Sequence, residues 1–458
     1  MLLTKIGTGI ALGASLAFAA SPALAAGWTI VNVPPTGQNA ILLGVSAPSD
    51  TTAWAVGNSG GAPNTGLGSH ALVDQWNGSA WSQASLPALT GTVSLQAVSA
   101  SGANDAWAVG SQRPQRYTFN PLALHWNGST WSTSTSIGTA VPGDTYLVGT
   151  ADISATDAYA IGDNTPAASG ELAHWNGTAW SAVSYPLPTN TGYPNTLNAR
   201  SADGPNDVWI IGSYMIQVSQ TNLRYETFSD HWNGSTWSVV PMPLVSGSDT
   251  LLAYEFSSVD AISPTNVWAV GGSGDHVIGL GGTPSNTLIE HWNGTAWSIV
   301  PSPSPGSNGA LTGVTESSPG NLWAVGYNTP SGTGAQTLTL NWNGTAWVTV
   351  PSPNAANPSV LTSVSTSPGA AIVWASGRTT PACWARAIRD SAAPLISLAH
   401  EDSSSESVPR VASRAVVMFR LVLLNFIMAR SHSASASPGD SERSSSAARA
   451  LSDSTWSV

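Results

Sequence analysis

The chain of 458 residues has a single cysteine, Cys383, and charged residues make up only 9% of it. Between Gly27 and Gly377 there is no cysteine and no lysine. Four basic residues, Arg113, Arg116, Arg200 and Arg224, stand there against eighteen Asp or Glu, a net charge of −14. Each shortage excludes something. Without cysteine this stretch holds no disulfide, so its stability must come from packing, for which its length is ample. Without a basic patch, an acidic surface repels phosphate backbones and anionic lipid, which excludes nucleic acid as a partner. The stretch has no apolar run of membrane-spanning length. It contains no G-x-S-x-G, no H-E-x-x-H and no paired carboxylates outside positions that a repeat explains, so no catalytic residue, metal or cofactor is assigned.

Both ends differ from this middle. Residues 1–26 carry Lys5, an apolar run from Ile6 to Ala20 and the small-x-small triplet Ala23-Leu24-Ala25, the pattern of a secretory signal peptide. The mature chain is therefore expected outside the cell or at its surface, as a monomer. Residues 378–458 hold nine Arg and seven acidic residues, with serine-rich runs. They read as a frame-shifted segment or as a native disordered tail. The apolar stretch 414–430 is interrupted by Arg420 and is too short for a convincing span.

What the middle does contain is a repeat. An aromatic, a small or apolar pair and glycine recur from Trp54, Trp107, Tyr159, Trp209, Trp268, Trp323 and Trp374, at intervals of 50 to 59 residues. Trp-Asn-Gly recurs from Trp76, Trp126, Trp175, Trp232, Trp292 and Trp342. Each unit reads as four short strands: an L-x-small-V-S strand, the WAVG-like strand, an alternating strand ending in His-Trp, and a strand opening on a second Trp. Asn-Gly between two β-type runs predicts a two-residue type I′ hairpin, with Trp76 facing Ser79 and Asp74 facing Trp81. The tryptophans supply the apolar area that a small sheet needs to pack on its neighbours.

Four-stranded units too small to bury their own faces predict an all-β fold, a seven-bladed β-propeller of antiparallel blades. Trp28 precedes Trp54 by the same 26-residue step that separates Trp81 from Trp107. The N-terminal segment is thus expected to close the last blade as its outer strand. The seventh blade itself is expected to be incomplete, because no Trp-Asn-Gly follows Trp374. An open solenoid is the other architecture, but it would make strand sharing between the ends pointless. The expected division is 1–26 signal peptide, 27–377 propeller and 378–458 tail.

Links between strands one and two and between three and four are short; the other two classes are long, vary, and fall at the same end of every blade. Variation gathered on one face of a rigid scaffold is the pattern of a binding surface. Arg113, Arg116 and Tyr117 fall in the second unit's long loop, Tyr214, Arg224, Tyr225 and Glu226 in the fourth's, and Asp275 and His276 in the fifth's. Tyr146, Tyr185, Tyr193, Tyr254 and Glu255 lie in or near the inter-blade links. Arg200 takes a position held by Val45, Val98, Val259 and Val314 in other units. It either meets an anion in the central channel or pairs internally with Asp203 or Asp207. His125, His174, His231 and His291 occupy one position in four blades, so they are expected to bond within their own blades rather than share a metal. Asp105, Asp157, Asp207, Asn266 and Asn321 are expected to cap the preceding turns.

Read as W-s-x-V-P, L-x-x-V-S, N-D-V-W-A-V-G and H-W-N-G-T-x-W in succession, the unit resembles a family of secreted bacterial propeller repeats. In outline it is also similar to tectonin-type lectin propellers, over Trp28 to Gly377. That resemblance implies a propeller and carbohydrate binding; the longer second loop here separates the chain from the lectin sites. The expectation is a non-catalytic module binding an extracellular glycan or protein. The alternative is a propeller-type glycoside hydrolase or polysaccharide lyase using the same face.

Overall fold

The computed structural model describes residues 27–31, 33–34, 40–60, 69–114, 118–164, 169–188, 195–217, 223–243, 252–275, 286–306, 308–331, 333–354, 358–367, 372–379 and 383–389, with backbone only at some strand positions. The expected signal peptide and most of the expected tail lie outside them.

Six four-stranded antiparallel sheets follow one another, each with its strands in sequence order. Blades 1 to 6 span residues 41–83, 92–133, 145–182, 195–240, 252–299 and 308–349. A three-stranded sheet follows, of Ser359–Thr366, Ile372–Thr379 and Cys383–Arg389. The number of four-stranded blades is therefore six, not seven. The third strand of the last sheet lies beyond Gly377, and no strand follows it among the described residues.

The first strand of every sheet touches the first strand of the next, and that of the three-stranded sheet touches blade 1, so the first strands form a closed inner ring. Tryptophans seal the joints between sheets. The strand-two aromatic of one blade meets the strand-four Trp of the next edge to face: Trp54 with Trp131, Trp107 with Trp180, Tyr159 with Trp237, Trp209 with Trp297, Trp268 with Trp347. Trp374 of the three-stranded sheet meets Trp81 of blade 1 in the same way, with centroids 5.2 Å apart and planes at 89°. Trp323 of blade 6 meets Trp28, at 5.6 Å and 87°. Edge-to-face contact is the arrangement that the ring quadrupoles favour. Trp54, Trp76, Trp107, Trp209 and Trp374 are among the largest fully buried side chains.

The Trp-Asn-Gly turn is not a two-residue hairpin. In blade 1 Trp76 pairs with Trp81 and Asp74 with Gln83, leaving a four-residue loop. Asn77 Oδ1 accepts the N–H groups of Ser79 and Ala80 at 3.0 and 2.9 Å and the Ser79 hydroxyl at 2.9 Å. Only the glycine, at φ +90°, adopts the left-handed region; the asparagine does not. The side chain thus builds an Asx-type turn that replaces the expected backbone turn and shifts the register. It also accounts for the Ser or Thr after Asn-Gly in blades 1, 2, 4 and 6, where the hydroxyl donates to the asparagine oxygen. The Trp76 indole N–H donates to Asp50 O at 3.1 Å, pinning the turn between strands one and two; Trp126, Trp175, Trp232 and Trp292 do the same in their blades.

The glycine that ends each WAVG-like run is needed because strand one bulges over it. A Cβ on Gly271 would lie 2.0 Å from Glu255 O and 2.7 Å from Phe256 Cα. The obstructing atoms are all strand-one backbone, which leaves no cheap adjustment, so Gly271→Ala is expected to cost about 1–3 kcal/mol by denaturant unfolding. Gly102→Ala, whose Cβ meets nothing within 4 Å, should stay within about 0.5 kcal/mol of wild type. Equal losses at the two positions would refute the bulge explanation.

Candidate functional site: the long-link face and the inner ring

Antiparallel order brings the ends of strands two and four and the starts of strands one and three to one end of the ring. Arg113 stands there as the last residue of a strand, Asp105–Arg113, rather than in a loop. Its guanidinium carbon lies 4.2 Å over the Phe119 ring, and burial lowers its pKa. Phe119 tilts against Tyr146 of blade 3, with centroids 5.5 Å apart. Asp144, at φ +63°, holds this contact in place: its Oδ1 accepts the Phe119 N–H at 3.0 Å, and its own N–H donates to Phe119 O at 2.7 Å.

Tyr146 leads to blade 4. Its hydroxyl bonds to Asp163, and its pKa is raised by burial and by that carboxylate's charge. Burial likewise pushes Asp163 up to about 7, against the opposing bonds from Tyr146 and from the Leu197 N–H at 3.1 Å. Tyr185 donates to Gly170 O at 2.9 Å and accepts from Asn195 Nδ2 at 3.2 Å. Blades 2, 3 and 4 are therefore laced together at this end. Phe119, Asp144 and Asp163 were missed in the sequence; the Asp-Asn that follows Gly162, where the other four-stranded units have uncharged residues, was the available signal.

The fourth unit's residues are also strand residues. Strands Asp207–Gln217 and Leu223–Trp232 stay paired past the body of the blade, with Tyr214 opposite Glu226, Met215 opposite Tyr225 and Ile216 opposite Arg224. The expected loop is corrected to a hairpin extension, because the apolar and aromatic run through Ile216 sustains pairing. The Tyr214 hydroxyl donates to Glu226 Oε2 at 2.6 Å. Asp275 ends the strand Asn266–Asp275 and pairs with Leu252. The side chains of Arg224, Tyr225, Tyr254 and Asp275 lie outside the described residues, as do Arg116, Tyr117, Tyr193 and His276 altogether. Pairing brings Tyr214 and Glu226 together, whereas Arg113 belongs to a separate cluster at the joint of blades 2 and 3.

Arg200 lies on the inner ring, in strand Asn195–Gly204. It makes no ion pair with Asp203 or Asp207. Asp207 Oδ1 is already taken by His231 Nε2 at 2.6 Å and by the Trp209 indole N–H at 3.0 Å. Arg200 Nε is closed off from solvent with no acceptor among the described residues, and burial lowers the guanidinium pKa to about 10. The histidines behave as expected. His125 bonds Asp105 at 2.7 Å, His174 bonds Asp157 at 2.8 Å and His291 bonds Asn266 at 2.8 Å, with His125 stacked on Trp107 at 4.3 Å. Of the side-chain oxygens expected to cap turns, those of Asp105, Asp157, Asp207 and Asn266 are thus engaged by histidine, and that of Asn321 accepts from Asn341 Nδ2 at 2.7 Å.

One carboxylate pair escaped the sequence reading. At the joint of blades 2 and 3, Ser101 donates its N–H to Asp152 Oδ2 at 2.9 Å and its hydroxyl to Asp105 Oδ2 at 2.6 Å. Burial, then the Asp105 charge, push Asp152 up to about 8. Burial also acts on Asp105, but bonds from His125 and Ser101 outweigh it and lower its pKa. The pair can share one proton, with Asp105 the ionised member. Among the described residues no group of three or more His, Cys, Asp or Glu could hold a metal ion, and no helix is long and apolar enough to cross a membrane.

No protein-family model and no curated protein matches the chain. Among solved structures it is similar to an ulvan lyase described as a new family of polysaccharide lyase, with 11% identity over 80% of this chain and 94% of that one and a TM-score of 0.49. It is similar to the Aleuria aurantia lectin in complex with α-methyl-L-fucoside, with 14% identity over 70% and 97% and a TM-score of 0.38. A third similar structure is the α-L-arabinofuranosidase of Fusarium graminearum in complex with arabinobiose, with 13% identity over 79% and 96% and a TM-score of 0.42.

Proposed function

We propose that the chain is a secreted, non-catalytic binding module that presents the long-link face of its ring to an extracellular glycan or protein. The observation that carries this reading is the fixing of Arg113, Tyr146, Tyr185 and Tyr214 at one end of the ring, each by a neighbour's ring, carboxylate or carbonyl. A surface of pre-ordered aromatic and charged groups on a rigid scaffold loses little entropy on binding. In the same reading Trp28 and its flanks serve the three-stranded sheet as its outer strand, which makes the ring rigid all the way round.

The test is retention of the full mature chain on a panel of immobilised polysaccharides, with the eluted polymer sized afterwards. Saturable binding to a polymer recovered at its original length is expected, with affinity lowered at least tenfold in Arg113→Ala or Glu226→Gln. A shortened polymer would overturn the non-catalytic part of the reading, and retention on no polysaccharide would remove glycan as the ligand.

A further inference from the structure

Two devices recur at the joints of the inner ring, a valine at five of the seven motif positions and a side-chain clasp at five of the seven joints, and the joint of blades 3 and 4 has neither. In the first device, the valine of L-x-small-V-S leans on the small residue of the preceding blade: a Cβ on Gly313 would lie 3.0 Å from Val364 Cγ1. In the second, the side-chain oxygen of the last motif residue accepts an N–H from the next blade. Ser46 accepts from Ala100 at 3.1 Å, Ser99 from Asp152 at 2.9 Å, Ser201 from Ala261 at 3.0 Å and Asp260 from Glu316 at 2.8 Å. Ser365 closes the ring onto Ala47 at 3.1 Å.

Between blades 3 and 4 the valine is Arg200 and the clasping residue is Ala151, which has no oxygen to offer. A Cβ on Gly149 would lie 2.6 Å from both Cδ and Nε of Arg200, so the glycine clears the floor on which this side chain rests. No side chain of blade 3 accepts the Ala202 N–H, the equivalent of the clasped Ala100 and Ala261. The joint thus holds a half-buried guanidinium whose Nε is closed off, with no carboxylate beside it among the described residues, in a domain where acidic residues far outnumber basic ones. A cation withdrawn from water even in part is costly without a counter-ion, and a ligand's negative charge reaching its open side would offset that cost.

We infer that the joint of blades 3 and 4 is a binding site for a carboxylate carried by a ligand, with the Arg200 guanidinium as its cation and a sugar acid as the ligand class. This rests on the binding-module reading and names the chemistry of its ligand. The fork of a guanidinium matches the two oxygens of a carboxylate, which an ammonium cannot do. The domain's net charge favours a sparsely charged sugar over a densely sulfated polymer.

The experiment titrates the full mature chain with glucuronate, glucose and inorganic sulfate by calorimetry, alongside Arg200→Val and Arg200→Lys. Arg200→Val installs the residue that five other units carry, so it should fold with an unchanged or higher Tm. Glucuronate is expected to bind wild type, at least tenfold more tightly than glucose or sulfate. Arg200→Val should lose at least tenfold in that affinity, and Arg200→Lys should fall between the two. Glucuronate binding of equal strength in wild type and Arg200→Val would overturn the assignment, as would sulfate binding more tightly than glucuronate or no glucuronate binding to wild type. Polysaccharide binding lost in Arg113→Ala, together with glucuronate binding unchanged in Arg200→Val, would leave the binding-module reading standing while this inference fell.

Discussion

Raising the pH from about 4 to about 8 is expected to lower the Tm of this protein, and Asp74, Asp230 and Glu290 are among the residues responsible, with Asp152, Asp163 and Asp260 acting in the same sense. The first three occupy one position of the repeat, two residues before the Trp-Asn-Gly tryptophan, where blades 2 and 6 carry Leu124 and Leu340. They are at most 1% exposed, and neither carboxyl oxygen of Asp74 or Asp230 has a partner among the described residues. Burial pushes Asp74 and Asp230 up to about 7 and Glu290 up to about 8. Between the ordinary carboxylate range and these values the folded state binds more protons than the unfolded one. Stability is therefore fullest at the acid end and is lost as the pH rises through the raised values. Each shift is worth on the order of a few kcal/mol. Asp105, whose pKa is lowered, acts in the opposite sense and below this window, as the pH falls through its folded value. The triple variant Asp74→Leu, Asp230→Leu and Glu290→Leu should show a higher Tm at pH 8 than wild type and a flatter profile. A wild-type Tm that does not fall across this range would show that these carboxyls find partners in solution.

Trp28→Ala should be nearly as damaging as Trp131→Ala or Trp297→Ala, although Trp28 precedes the first blade. The three indoles are 4 to 5% exposed, and each meets the strand-two tryptophan of a neighbouring sheet edge to face. Trp28 packs in one cluster with Trp323, Val325, Leu361, Val364, Val373 and Ala375, which belong to blade 6 and to the three-stranded sheet. Truncating a buried tryptophan leaves a large cavity, at a cost of about 3–5 kcal/mol. The first and last segments would lose their connection at the same time, so unfolding should also become less cooperative. Chemical denaturation of the three variants gives the comparison. A loss below about 0.5 kcal/mol for Trp28→Ala alone, the range of an ordinary surface change, would mean that the N-terminal segment does not hold the ring closed.

Much of this fold was legible because each unit repeats the same physical solution. The spacing of the WAVG-like runs and of Trp-Asn-Gly located strands two, three and four in every blade. The shared position of His125, His174, His231 and His291 was enough to place their bonds inside single blades. The turn was misread because the backbone preference of Asn-Gly was weighed without the side-chain oxygen of Asn77, which competes for the same N–H groups. Tyr214, Glu226 and Arg113 were taken for loop residues because strand ends depend on how far pairing persists, and local sequence constrains that weakly. Asp105 with Asp152, and Phe119 with Asp144, are pairs that neither repeat position nor spacing could join, since their partners come from different blades.

The sequence by itself determined the blade: four strands, two tryptophans to pack, a glycine beneath a bulge and a punctuated turn are local requirements, satisfied within some fifty residues. Only the tertiary structure decided what happens between blades. Among the described residues it left six blades complete and a seventh sheet of three strands, set Trp28 against Trp323, and laid Arg200 over Gly149 with no carboxylate in reach. Those outcomes arise at joints where two units meet, and the energy of a joint depends on which side chain of one blade faces which of the next. A repeat pattern fixes such pairings on average, and the departures at single joints are decided by the tertiary structure.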